Sequence, residues 1–183
     1  DLISAQAAQN QGLIKERDQF LQSAALEAPK ERETILMFQA QLQLSQDQFE
    51  QAQATLTHIK NHAKSLTPQW YFLQTEVELH FNNYQEALDT LLQHANLQKE
   101  PTYHQLFKDC IRGLAREKKL GTPKDLLQLL KKQPAVIHND LNFLSHLSPI
   151  LIQDKACKKW LHKKIEHSLA TCPLNDALLQ LIG

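Results

Sequence analysis

The sequence predicts an all-α protein, a right-handed α-solenoid of stacked antiparallel helix pairs. Three observations carry that expectation. Leu, Gln, Ala, Lys and Glu dominate the 183 residues, only four glycines occur, and β-branched runs are nearly absent; these are the residues that favour helix. A decapeptide pattern recurs at a fixed interval of 35: "DQFEQAQATL" (47–56) and "NNYQEALDTL" (82–91), with a looser copy, "GLIKERDQFL", at 12–21. Finally, Gly12, Asp47 and Asn82 fall at one position of that interval. Gly, Asp and Asn best tolerate the positive φ that a tight interhelix turn requires.

Each repeat reads as a first helix, a turn and a second helix. On the second helix Ala87 aligns with Ala52, and Leu91 with Leu56 and Leu21. A small Ala lets the two helices approach closely, and the large residue before it (Tyr84, Phe49, Ile14) fills the gap between them. On the first helix Trp70, Leu73, Gln74 and Val77 follow Ile35, Phe38, Gln39 and Leu42 by 35 residues. Pro29, Pro68 and Pro101 lie near the junctions, where proline suits the opening of a helix. The spacing resembles the tetratricopeptide repeat, with departures: Arg17 stands where the other copies have Ala, and Gln39 and Gln74 occupy the small slot of the first helix. A helix pair cannot bury its apolar stripe alone, so such units stack on one another. Residues 1–100 are expected to hold about three repeats, and residues 101–183 further divergent helical repeats continuous with them.

Beyond residue 101 the punctuation is still helical. In "TPKDLLQLLKK" (122–132) Thr122 is the expected N-cap, Pro123 the first helical residue and Asp125 an acid in the first turn. Lys131 and Lys132 sit at the negative end of that helix. Residues 138–173 read as another helix pair, with Pro149 expected to kink or interrupt its first member. Ala156-x3-Trp160 echoes the second-helix pattern. "LNDALLQLIG" (174–183) reads as the start of one more helix.

The chain is neutral overall, yet residues 1–100 carry 7 basic and 13 acidic side chains and residues 101–183 carry 13 and 7. The basic half could face an anionic surface or an acidic partner, with Lys158, Lys159, Lys163 and Lys164 as its densest cluster; the alternative is a solvated lysine face. Cys110, Cys157 and Cys172 do not form a disulfide framework. Cys110 and Cys157 fall on apolar helical stripes and are expected to be buried. No stretch approaches the roughly 20 apolar residues of a spanning helix, and the opening reads as neither a signal peptide nor a native start, so an excised segment is expected.

Few residues suggest chemistry. His58-x3-His62 would share a helix face as metal ligands can, but no third ligand is apparent and a surface pair is the expectation. Cys172-Pro173 is a dipeptide associated with regulatory haem ligation through thiolate; here it also fits the proline that commonly follows a helix end. No phosphate loop, nucleophile elbow or carboxylate pair occurs, and the basic half lacks the motifs of a nucleic-acid reader. A non-enzymatic protein is expected. With Ile35, Phe38, Leu42, Trp70, Leu73 and Val77 turned inward, the partner-binding face of the first helices falls on Leu36, Ala40, Gln43, Tyr71, Thr75 and Glu78.

"RDQFLQSAALEAP" (17–29), "QAQLQLSQDQFEQAQATL" (39–56) and "NDALLQLIG" (175–183) resemble successive segments of the HemY family, tetratricopeptide-containing inner-membrane proteins of proteobacterial haem-biosynthesis operons. Ile182 stands where that family usually has Tyr. The resemblance implies a larger parent that begins with a membrane hairpin, a place at the inner membrane with this part on its cytoplasmic side, and partners among the enzymes of late haem and protoporphyrin synthesis. It implies no catalytic mechanism. Three functional readings follow: a membrane-tethered interaction scaffold, a carrier or sensor binding haem or porphyrin, and an enzyme of porphyrin metabolism, the first being preferred.

Overall fold

The computed structural model describes residues 2–10, 12–27 and 31–170. Among them every regular element is helical. The chain divides into two compact units, Asp1–Gln93 and His94–Gly183.

The first unit contains α1 (Leu2–Asn10), α2 (Ile14–Glu27), α3 (Arg32–Leu44), α4 (Phe49–His62), α5 (Pro68–His80) and α6 (Tyr84–Leu92). They pack as three hairpins, α1 with α2, α3 with α4 and α5 with α6; α2 also packs on α3, α4 on α5, and α3 on α5. The expected turns form. Gly12, Asp47 and Asn82 have φ of 72°, 58° and 59°. In each turn the next residue's N–H donates to a carbonyl five residues back: Leu13 to Ala8, Gln48 to Gln43 and Asn83 to Glu78, all at 2.9 Å. This bond pattern closes a helix through one left-handed residue and satisfies a carbonyl the helix leaves open. Pro68 opens α5, as its place at the repeat junction suggests; Pro29 lies outside the described residues.

The second-helix positions behave as the repeat requires. Leu21, Leu56 and Leu91 are fully buried, and so are Ala52 and Ala87. Arg17, at the equivalent of those alanines, is also fully buried. It donates to Asp18 Oδ1 through Nε at 2.7 Å and to Gln46 Oε1 at 2.5 Å. The charge is thereby paired and hydrogen-bonded, as a buried charge must be.

The register of α3 differs from expectation. Phe38 is 44% exposed and Leu42 only half-buried, while Gln39 and Gln43 are buried. The reason is that α3 packs against α2, α4 and α5 at once, so it buries a wider arc than one apolar stripe. Gln43 is tolerated inside because Thr55 Oγ1 donates to its Oε1 at 2.9 Å. On α5, Trp70, Leu73 and Val77 do face inward, and the Trp70 indole N–H donates to the Leu56 carbonyl on α4 at 3.0 Å.

The second unit contains a 3₁₀ turn (Ala95–Lys99), α7 (Pro101–Arg116), α8 (Pro123–Lys131), a short α9 (Ala135–His138) not foreseen from the sequence, α10 (Leu141–Leu151) and α11 (Lys155–Ala170). Its core gathers Tyr103, Phe107, Ile111, Leu130, Ile137 and Phe143. The α7–α8 turn repeats the bond pattern of the first unit, with Lys118 at φ 58° and Lys119 N–H donating to the Leu114 carbonyl at 2.9 Å. Thr122 caps α8 in a reciprocal box with Asp125, the arrangement that satisfies two orphan donors at once. Asp140 caps α10.

Two local expectations change. Pro149 does not interrupt α10, which continues to Leu151. The carbonyl that a residue-149 N–H would have bonded belongs to Ser145, and Ser148 Oγ donates to it at 2.8 Å instead. On α11 the buried pair is Cys157 and Leu161, whereas Ala156 is exposed and Trp160 half-buried, a slip of one residue. Among the described residues no helix is long and apolar enough to cross a membrane.

Candidate functional site

Most of the six residues expected on the partner-binding face are buried: Leu36, Ala40, Gln43, Tyr71 and Thr75 are, and Glu78 is half-buried. Thr75 Oγ1 is spent on its own helix, donating to the Tyr71 carbonyl at 2.7 Å. Two of the six reach cavities. Leu36 lines a groove described below, and Glu78 lines a small cavity of about 120 Å³ beside Trp70 and Thr90. The outward side of α3 and α5 is instead formed by Phe38, Gln41, Gln69 and Glu76, and Gln69 Nε2 donates to Gln41 Oε1 at 3.2 Å across the two helices.

Glu78 is half-buried. Its carboxylate accepts from Gln74 Nε2 at 2.9 Å and from Thr90 Oγ1 at 3.0 Å. Burial raises its pKa above the ordinary carboxylate value, and these two hydrogen bonds offset only part of the rise. The Lys60 ammonium sits over the Trp70 ring at 5.8 Å.

The larger opening lies over α2, α3 and α4. A cavity of about 400 Å³ is bounded by Arg32, Leu36, His58, Ile59, His62 and Lys64. A second, of about 360 Å³, shares Arg32, Leu36 and His58 and adds Ala25, Gln39 and Thr55. The two adjoin as one groove. Arg32 donates to His58 Nε2 at 2.8 Å. A guanidinium has only donors, so this nitrogen is unprotonated and the ring is neutral. Burial, then the neighbouring His62 and Arg32, lower the His58 pKa, which keeps it so. His62 stacks on His58 with ring centroids 4.3 Å apart, and its Nδ1 donates to the His58 carbonyl at 2.8 Å. The pair predicted as a surface feature therefore has fixed tautomers within a groove wall. Among the described residues no group of three His, Cys, Asp or Glu side chains could hold a metal ion.

Sequence reasoning noticed His58 and His62 but not Arg32, which lies 26 residues upstream of its partner. Only the 35-residue register, which places α3 beside α4, could have suggested that meeting.

In the second unit Lys158, Lys159 and Lys163 are exposed on α11. Lys164 is not free surface: its ammonium lies 2.9 Å from His138 Nδ1, donates to Asn139 Oδ1 at 2.7 Å, and sits 5.9 Å above the Trp160 ring. Cys110 and Cys157 are buried thiols, as expected. Cys172, the possible haem ligand, lies outside the described residues. No family model, curated protein or solved structure matches this chain.

Proposed function

We propose that the protein is a non-enzymatic interaction scaffold, an array of stacked, tetratricopeptide-like helix pairs that presents grooves to a protein partner. The observation that carries this reading is the recurrence of one turn geometry at Gly12, Asp47 and Asn82, each closing a packed hairpin. Regular hairpins of this kind stack into extended surfaces suited to peptide capture. The resemblance to HemY proteins supports a parent tethered to the inner membrane and partners in late haem and porphyrin synthesis. The basic face of α11 suits an anionic lipid surface or an acidic partner.

The binding face we assign to the scaffold is the outward side of α3 and α5, with Phe38 as its exposed apolar residue and Gln41, Gln69 and Glu76 as exposed polar ones. An exposed aromatic on such a face is the kind of residue that anchors an interaction hot spot. The test is capture from solubilised membranes by the immobilised chain, compared with Phe38→Glu and Glu76→Lys. Loss of the captured protein with native far-UV circular dichroism supports the assignment; undiminished capture by both variants overturns it. A haem titration followed by absorbance separates this reading from the tetrapyrrole carrier: saturable spectral change at one equivalent favours the carrier.

A further inference from the structure

The outward side of α3 and α5 carries one charge that no described residue meets. Glu76 stands at an exposed position, yet the atoms packed around it hold water away and raise its pKa, and among the described residues no donor or cation offsets that rise. A carboxylate shielded from water ordinarily has a donor or a cation against it. These two helices have none to offer. Between them α3 and α5 hold three carboxylates and a single guanidinium, that of Arg32, and Arg32 donates to His58 on α4. The first unit is acidic as a whole, with 6 basic and 12 acidic side chains over residues 1–93, so its field draws cations in.

Apolar surface accompanies the charge. Phe38 is 44% exposed and lies one turn before Gln41 on the same face of α3. Gln41 is joined to Gln69 on α5. Gln69, Phe72 and Glu76 then follow at helical spacing on one face of α5, each exposed or half-buried. From Phe38 through the glutamine pair to Glu76 the run amounts to about 15 Å of helix rise.

We infer that the occupant of this face is a basic amphipathic segment of another protein, which sets a lysine or arginine against Glu76 and an apolar side chain against Phe38. The inference rests on the α3–α5 face assigned above and names the chemistry of its partner. Charge complementarity selects it. An acidic segment is repelled by the unit, and a neutral one leaves the Glu76 carboxylate as it is. A cation removes the cost of that uncompensated charge, so the pair contributes more than one on open surface. A helix laid along the two helices presents both groups from one side.

The full ¹⁵N-labelled chain is titrated with acetylated, amidated, alanine-based helical peptides. Each carries leucine and, about three turns away on the same face, lysine, glutamine or glutamate. The lysine peptide is expected to give saturable shifts at the Phe38, Gln41, Gln69 and Glu76 amides. It should bind about tenfold more tightly than the glutamine peptide, the order of one charge-assisted contact, and the glutamate peptide should give no shift. Glu76→Gln, at an exposed position that leaves the fold readable, should bring the lysine and glutamine peptides to equal affinity. Phe38→Ala should weaken both alike, because it removes the apolar contact they share. Equal binding of those two peptides by the unmodified chain, at the same amides, overturns the basic partner and leaves the docking face standing. Preference for the glutamate peptide overturns the charge assignment. Shifts of the same amides when the chain alone is concentrated assign the face to a second copy and overturn a separate partner. No saturable shift at these amides with any peptide overturns the face and the inference together.

Discussion

The Tyr103 hydroxyl donates to Gln133 Oε1 at 2.7 Å, joining two buried residues thirty positions apart in the second unit. Burial pushes the Tyr103 phenol up to about 12. A phenol held protonated in this way stabilises the fold fully below its unfolded value near 10. That contribution is lost as pH rises through about 12, because the folded state then binds a proton the unfolded state has released. Tyr103→Phe should cost about 1–3 kcal/mol at neutral pH by leaving Gln133 Oε1 without its donor. It should also flatten the loss of stability between about pH 10 and 12. Urea unfolding at pH 7 and pH 11 checks both; an alkaline loss as steep as in the unmodified chain would assign it to other groups.

Lys118 occupies a left-handed conformation that an unbranched cation gains nothing from. Lys118→Gly should stabilise the second unit by roughly 0.5–1 kcal/mol, since glycine enters that region without the steric cost an L side chain bears. Lys118→Val should destabilise it by a comparable or larger amount. Thermal melts of the two variants should move in opposite directions.

Asp140 caps α10 through the Phe143 N–H at 3.0 Å and pairs with Lys108 Nζ at 3.0 Å. Burial opposes its charge, but the Phe143 N–H and the Lys108 ammonium outweigh it and hold the carboxyl below its ordinary value. A lowered carboxyl contributes stability above its unfolded pKa and loses it as pH falls through the folded one. Asp140→Ala should cost about 1 kcal/mol through loss of the cap. Asp140→Asn should keep most of that cap while removing its share of the acid-side loss. Comparing acid unfolding of the two variants checks the assignment.

If the basic face of α11 meets an anionic surface, the chain should bind vesicles containing phosphatidylglycerol and release them as salt rises, because exposed charges are screened beyond about 8 Å at physiological ionic strength. Replacing Lys158, Lys159 and Lys163 together by Glu should abolish that binding. Lys164→Glu should instead lower stability, because that ammonium is already held by His138 and Asn139. Equal co-sedimentation with neutral and anionic vesicles would remove the idea.

The turns were legible in the sequence because their chemistry is local. Gly12, Asp47 and Asn82 announce positive φ by residue type, and Thr122-Pro123-x-Asp125 announces a capped helix start. Lys118 makes the same turn and could not be read, since lysine does not favour it; only its distance of 36 from Asn82 places it in series. Helix faces were less legible. The sequence shows an apolar stripe at Ile35, Phe38 and Leu42, but burial on α3 is decided by how many helices surround it, and three of them draw Gln39, Ala40 and Gln43 inside. The groove depended on such tertiary meetings throughout. Neither the neutral His58 nor the unpaired Arg32 has a signature along the chain.

The shared turn geometry has a consequence for how such a chain can change length. At Asp47 and again at Asn82 the backbone leaves one helix and enters the next through the same bonds. A segment running from one of these joints to the other can therefore be duplicated or deleted without new loop chemistry, because each cut end meets a turn already built to receive it. The interval of 35 residues acts as an interchangeable coupling. Helix pairs can then be added or removed whole, while the side chains between the couplings remain free to diverge.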